Sequence, residues 1–374
     1  MTNAGMPPEA TGQLPRRSEG VMEGGGFYNE HSLPQHDAGS FGLAMLAQAA
    51  QAAPMPEPGG DFVIVDYGAA QGRNSLEPMR LAVQAVRARS PESMPIVVVH
   101  TDLPDNDFSI LFKLVETSAA SYLRSAPNVF SYAAGGSFYR QLFPSERISL
   151  GWSAIAVHWL STAPTVIPGH IWASRATGHV LEAFAQQAKR DWLDFLRHRA
   201  AEMRPGARLV VVGGGADDQG DSGADGLMDL ANEALRDLVG EGAMSAEEYG
   251  RMVIPVYCRT PGEYLAPFGS GGDAGGLVLE HQELKVLPDA YWQEYQRSSD
   301  VEAFAAAYAD FFRAAYGPSL FGVLEPTRGP QERQALAARF QDLLQRRIAG
   351  DPRRAVCHWR VLVMCIAKPA SPRP

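Results

Sequence analysis

This 374-residue chain predicts an α/β fold, a parallel sheet with a mainly helical cap. Three observations carry the prediction. Apolar, β-branched runs alternate with helical stretches as far as Gly215, which is the order of a parallel sheet. Two of the early runs end in an acidic residue. A long, largely helical stretch then separates these runs from a last apolar run near the C-terminus.

The lead, residues 1–20, is rich in Pro, Gly and polar groups and lacks the apolar core of a secretory signal, so it is predicted to be disordered. Phe62 to Gly68 reads as a buried strand feeding a tight turn. A helix follows from about Leu76 to Arg89. Ile96 opens a second buried strand that ends at Asp102. A helix from about Phe108 to Leu123 leads to a third strand-like segment, Asn128 to Gly136. The segment from Arg147 to Leu160 reads as a fourth strand with aromatic and polar side chains at its end. A long helix from about Gly178 to Met203 places Val180, Phe184, Ala188, Trp192, Phe195 and Leu196 near one face. Ala207 to Gly215 is the next strand, and Gly215 to Gly226 a flexible acidic loop. The stretch from about Leu227 to Leu320 is predicted mainly helical, and Cys357 to Pro369 a last buried strand. Residues 21–214 with 355–374 therefore form the predicted core, and residues 215–354 the cap.

Composition narrows the function. No apolar run reaches the length of a membrane span. The net charge of −9, without a Lys/Arg cluster, offers nothing to a nucleic acid. Cys258, Cys357 and Cys365 are odd in number and lack metal spacing, which fits a reducing, cytoplasmic compartment.

Asp66 to Asn74 follows the first strand, and its small residues would let the backbone approach a nucleoside-bearing ligand. Asp66 could accept from a bound amino-acid group; a plain helix cap is the alternative. Asp102 sits where α/β folds hold a ribose, and its carboxylate can take both hydroxyls; the alternative is an Asx-turn before Pro104. No phosphate-binding glycine loop is present. Ser137 and Phe138 could bond and stack on an adenine, or cap a helix and fill the core. His158 is the residue type of a general base, and Trp159 offers one indole N–H suited to a carboxylate oxygen; both could equally be packing at a sheet edge. Gly151 to Ile155 lacks the last Gly of a serine nucleophile elbow.

Taken in order, these segments resemble the SABATH family, the salicylate, benzoate, jasmonate and indole-acetate carboxyl methyltransferases with their caffeine-type N-methyltransferase relatives. Met22 to Gly25 with Tyr28, Ser32 and Gln35 is similar to the family's opening motif. Asp66 to Asn74 matches its glycine motif, Thr101 to Phe108 its N-D-L-P-x-N-D-F, Gly136 to Pro144 its G-S-F-Y-x-x-L-F-P, and Ser153 to Ser161 its L-H-W-L-S segment. Ile171-Trp172, the helix with Gln187, Asp191 and Arg199, and Ile254 to Tyr257 with Glu263 extend the likeness.

The resemblance implies a Rossmann-like class I methyltransferase sheet and S-adenosylmethionine (SAM) as cofactor. It implies a cofactor site of Ser32, Gln35, Asp66, Asn74, Asp102, Leu103, Ser137 and Phe138. Gln35 and Trp159 would hold the carboxylate of a small hydrophobic acid, with Tyr28, His158, Trp172 and Tyr257 around the substrate and walls from Phe27 and Trp152. A carboxylate is already ionised at neutral pH and needs no base, so His158 has an orienting role. Methylation of a neutral heterocycle or phenol, and a non-catalytic binding protein on the same fold, remain the alternatives. The acidic loop from Asp217 to Asp225 does not match the family's magnesium segment, so no metal is expected. His31, Thr101, Tyr67 and Arg73 depart from the family pattern. The Ala- and Arg-rich composition points to a bacterial member, and a homodimer is expected by analogy.

Overall fold

The computed structural model describes Gly20 and residues 22–370, so the lead predicted for residues 1–20 lies outside the described residues, Gly20 excepted. Three short helices come first, α1 (Phe27–Glu30), α2 (Leu33–Ser40) and α3 (Leu43–Ala52). Then follow β1 (Phe62–Tyr67), α4 (Leu76–Arg87), β2 (Ile96–Asp102), α5 (Phe108–Thr117), β3 (Val129–Gly135), β4 (Ile148–Ala154), α6 (Gly178–Glu202) and β5 (Met203–Gly215). The rest comprises α7 (Asp225–Gly240), α8 (Ala246–Gly250), α9 (Pro261–Leu265), β6 (Val278–Val286), α10 (Ala290–Ser298), α11 (Val301–Phe321), α12 (Pro330–Gly350) and β7 (Arg360–Ala367).

The strands form one seven-stranded sheet in the order β3-β2-β1-β4-β5-β7-β6. β1 to β5 are parallel; the central strands β1 and β4 are near-continuous buried runs, as strands covered on both faces require, while β3 at the edge leaves Phe130 and Tyr132 exposed. One face packs against α3 and α4 through residues such as Leu46, Met79 and Val83, and the other against α6 through Trp192, Phe195 and Leu196. The order reverses at β1 and β4, so the crevice beyond their carboxyl ends is where a doubly wound sheet binds its ligand. A separate cluster joins α7, α11 and α12 through Leu235, Phe312, Phe340 and Leu344.

Three details differ from the sequence reading. The stretch from Leu227 to Leu320 contains β6, which pairs antiparallel with β7, and β7 is itself antiparallel to β5, so the sheet is mixed. β6 carries Glu280, His281, Gln282, Glu283 and Lys285, a charged edge strand without strand-like apolar alternation. α5 stops at Thr117 because Ser118 turns extended, and Ser121 then caps a short turn through Leu123 N. β4 ends at Ala154: Ile155 turns left-handed at φ 51°, and His158 and Trp159 lie on a loop beyond the strand. A β-branched residue rarely takes that conformation, and here it swings the next four residues across the crevice.

Candidate active site

The cavity begins with the turn after β1. Gly68 has φ 86°, and a Cβ there would meet Ala156 Cβ at 2.5 Å, so only glycine allows this approach of turn and loop. The amides of Gly68 and Ala69 bond Thr101 O, and the amide of Ala70 donates to Asp102 Oδ2 at 2.7 Å. Leu103 N donates to Asp102 Oδ1, also at 2.7 Å. Burial pushes the Asp102 pKa up to about 6, and these two amides oppose the rise. Asn106 donates to Ala70 O, tying the loop after β2 to the same turn.

Beside this tip lies a large cavity, with about 1470 Å³ of space not filled by atoms, part of it open to solvent. Its wall brings together Tyr28, Gln35, Asp102, Leu103, Ser137, Phe138, His158, Trp159 and Trp172 from the predicted set. A smaller cavity adjoins it, sharing Tyr28, Gln35, Gly68, Ala70 and Ile155. Asp66, Asn74 and Trp152 line only the smaller one.

Three residues singled out in the sequence line neither cavity. Ser32 lies behind Asn74 of the smaller cavity's wall, its hydroxyl accepting from Asn74 Nδ2 at 3.2 Å. Phe27 lies outside both, under the Arg313 guanidinium at 4.5 Å. Tyr257 also lies outside, and its hydroxyl donates to Glu263 at 2.9 Å. Its neighbour Cys258 lines the larger cavity instead.

The loop carrying His158 and Trp159 is held from several sides. Trp159 pairs with Val256, Leu160 N bonds Pro255 O, and Tyr257 N bonds His158 O. Tyr139 donates to Val157 O at 3.1 Å and to Trp159 O at 2.5 Å. The fully buried Arg259 donates to Val157 O at 2.6 Å and twice to Ala188 O. Burial, with Arg259 nearby, pushes the His158 pKa down to about 3, so the ring is neutral at physiological pH. Among the described residues its Nδ1 is buried without a partner, as is Gln35 Oε1. The Trp159 ring lies 5.8 Å from that of Tyr316, and Gly20 lies directly against the indole.

Sequence reasoning missed a second set of wall residues. Phe311, Ala315 and Tyr316 come from α11, Leu287 from just after β6, and Trp359 and Arg360 from the start of β7. Tyr139 lies inside the G-S-F-Y segment and could have been singled out there. Gln71 was also missed: its amide donates to Glu23 O and accepts from Gly26 N, fastening residues 23–26 to the turn after β1. In the acidic loop, Asp217 and Asp221 pair with Arg360. Among the described residues no group of His, Cys, Asp and Glu converges as a metal site, and no helix is long and apolar enough to cross a membrane.

Residues 18–349 match the family model described as SAM-dependent carboxyl methyltransferase. The chain is 32% identical to methyltransferase LUC1 of Fusarium sp over 243 residues, 64% of each protein. It is 32% identical to indole-3-acetate O-methyltransferase 1 of Oryza sativa subsp. japonica, over 79% of this chain and 78% of that protein. It is 29% identical to gibberellic acid methyltransferase 2 of Arabidopsis thaliana, over 70% and 73%. The solved structure of loganic acid methyltransferase with SAH (S-adenosylhomocysteine) shares the fold, with a TM-score of 0.71 and 22% identity over 94% of this chain and 99% of that one. The chain therefore belongs to the SAM-dependent carboxyl methyltransferase family, called SABATH, and is a class I methyltransferase that uses SAM.

Proposed function

We propose that this enzyme methylates the carboxylate of a small hydrophobic acid, aromatic or aliphatic, to give a methyl ester. One observation carries the reading: Gln35 and Trp159 line the same aromatic-walled cavity as Asp102, Ser137 and Phe138. Two side chains able to donate to a carboxylate thus share a space with the groups suited to a nucleoside.

The residues present fit SAM. Asp102 reserves lone pairs for ribose hydroxyls, Ser137 and Phe138 offer a bond and a stacking face for adenine, and Asp66 adjoins the space for an ammonium group. When bound, SAM supplies an electrophilic sulfonium methyl. Gln35 and Trp159 orient the acid so that one oxygen faces that methyl. Orientation of this kind is worth on the order of 7–11 kcal/mol in a well-aligned reaction. Trp159, Tyr316, Trp172 and Phe311 give the cavity an apolar wall, against which the carboxylate exchanges part of its hydration for fixed dipoles. His158, neutral across physiological pH and held beside Trp159, positions the shelf and takes no proton. A base with so low a pKa is poorly suited to deprotonating a phenol or a heterocycle N–H, which disfavours the N- or O-methylation reading.

The test is incubation with methyl-labelled SAM and a panel of aromatic and aliphatic acids, each matched to its primary amide and to a phenol or heterocycle of similar shape. The proposal expects label in base-labile methyl esters of one or more acids. Label confined to phenols or ring nitrogens would move the assignment to the N- or O-methyl class, and no label in any compound would favour a binding protein. A cytoplasmic location rests on the three unpaired cysteines, a bacterial origin on the Ala- and Arg-rich composition, and a homodimer on analogy alone.

A further inference from the structure

His100 stands in an apolar strand, Val97-Val98-Val99-His100, where a central parallel strand calls for a hydrophobic residue. It is wholly buried, and burying an imidazole costs free energy unless both nitrogens find partners. Both do. In the β1–β2 register Asp66 pairs with His100, which puts the two side chains on one face. His100 Nδ1 lies 3.0 Å from Asp66 Oδ2, and Nε2 lies 2.8 Å from Tyr122 Oη, which in turn lies 2.6 Å from Ser131 Oγ. Tyr122 is itself wholly buried. A ring held at both nitrogens is restrained against turning, and it restrains in turn the carboxylate oxygen it bonds. No hydrogen bond from the described residues engages Asp66 Oδ1, and Asp66 lines the smaller cavity.

We propose that His100 is a positioning residue for cofactor binding: it clamps one oxygen of Asp66 so that the other is presented to the ammonium group of the cofactor. The inference rests on the reading of Asp66 as a cofactor ligand. A carboxylate accepts only, so His100 Nδ1 carries the shared proton, and Tyr122 fixes the ring from behind. An apolar residue at position 100 would fill the core as well but would leave Asp66 free to swing away from the ligand.

The test is calorimetric titration of the full chain with SAH, which needs no turnover. His100→Phe should weaken SAH affinity about tenfold. His100→Asn, which keeps an N–H near the Nδ1 position, should recover most of that loss. Asp66→Asn should also weaken binding, and adding His100→Phe to it should change affinity less than twofold, because the clamp then has no charged oxygen to aim. Should His100→Phe fold poorly, Tyr122→Phe replaces it as the probe, with about a threefold loss expected. If Asp66→Asn loses affinity while His100→Phe, or Tyr122→Phe in its place, binds as the parent does, the clamp is overturned and the ligand role of Asp66 stands. If Asp66→Asn binds as tightly as the parent, the ligand role fails and the clamp with it.

Discussion

Replacing Asp102 by Ala is the perturbation that reaches furthest into the cofactor site. Each carboxylate oxygen accepts one amide, from Ala70 or from Leu103, at 2.7 Å, and each keeps a second lone-pair direction for a ribose hydroxyl. Hydrogen bonds to a charged acceptor contribute about 1.5–3 kcal/mol each. Taking the lower figure for both gives about 3 kcal/mol, or roughly a hundredfold in dissociation constant at 1.4 kcal/mol per tenfold. The two freed amides add a separate cost to the fold, about 1–3 kcal/mol each if water does not reach them. The assay is calorimetric titration with SAH, with thermal unfolding of the unliganded variant as a control for that second cost. A folded Asp102→Ala protein whose affinity stays within threefold of the parent would refute the ribose role.

Other perturbations act on the acid or on the shelf that presents it. Trp159→Ala removes the indole donor while leaving Asp102, Ser137 and Phe138 in place; kcat/KM for the acid should fall by about one to two orders of magnitude, with SAH affinity nearly unchanged by calorimetry. Tyr139→Phe removes the hydroxyl from the Trp159 carbonyl and leaves Val157 O on Arg259 alone, and should cost about tenfold in kcat/KM for the acid while the protein still unfolds cooperatively. The pH profile follows from Asp102, whose pKa is raised to about 6. Acceptance from two hydroxyls needs the ionised form, so KM for SAM should rise as pH falls through 6, while kcat at saturating SAM stays flat to about pH 5 because His158 does not titrate there. The sign for bare stability is opposite. The folded pKa lies above the ordinary 3.8, so the protonated form favours folding, and that contribution is lost as pH rises from about 4 through 6. Unliganded melting temperature measured between pH 4 and 7 checks this sign against the kinetic one.

The parts of the molecule legible in the sequence are those fixed by local pattern. β1 and β2 are continuous apolar runs, and the acid at each end lies beside the crevice. Gly68 signalled a close backbone approach, although its partner, Ala156, belongs to a loop the sequence presented as strand. The left-handed turn at Ile155 is invisible in composition, because nothing about an isoleucine announces a positive φ. β6 escaped notice because an exposed edge strand needs no apolar alternation. Ser32 and Tyr257 line neither cavity, and their hydroxyls meet Asn74 and Glu263, partners that sequence spacing does not announce. Phe311 and Tyr316 reach the cavity only because α11 packs across it, and the sequence of one helix does not state where that helix docks.

The central claim is that one cavity holds a nucleoside at the Asp102 tip and an anionic oxygen between Gln35 and Trp159, facing the transferable methyl. A crystal structure with SAH and the best acid of the panel measures it directly. The account predicts the ribose hydroxyls on Asp102, and the acid's carboxylate within hydrogen-bond reach of the Gln35 amide and the Trp159 indole, with one oxygen directed at the sulfur. An acid bound with its carboxylate turned toward Arg360 and its apolar end at Trp159 would contradict it.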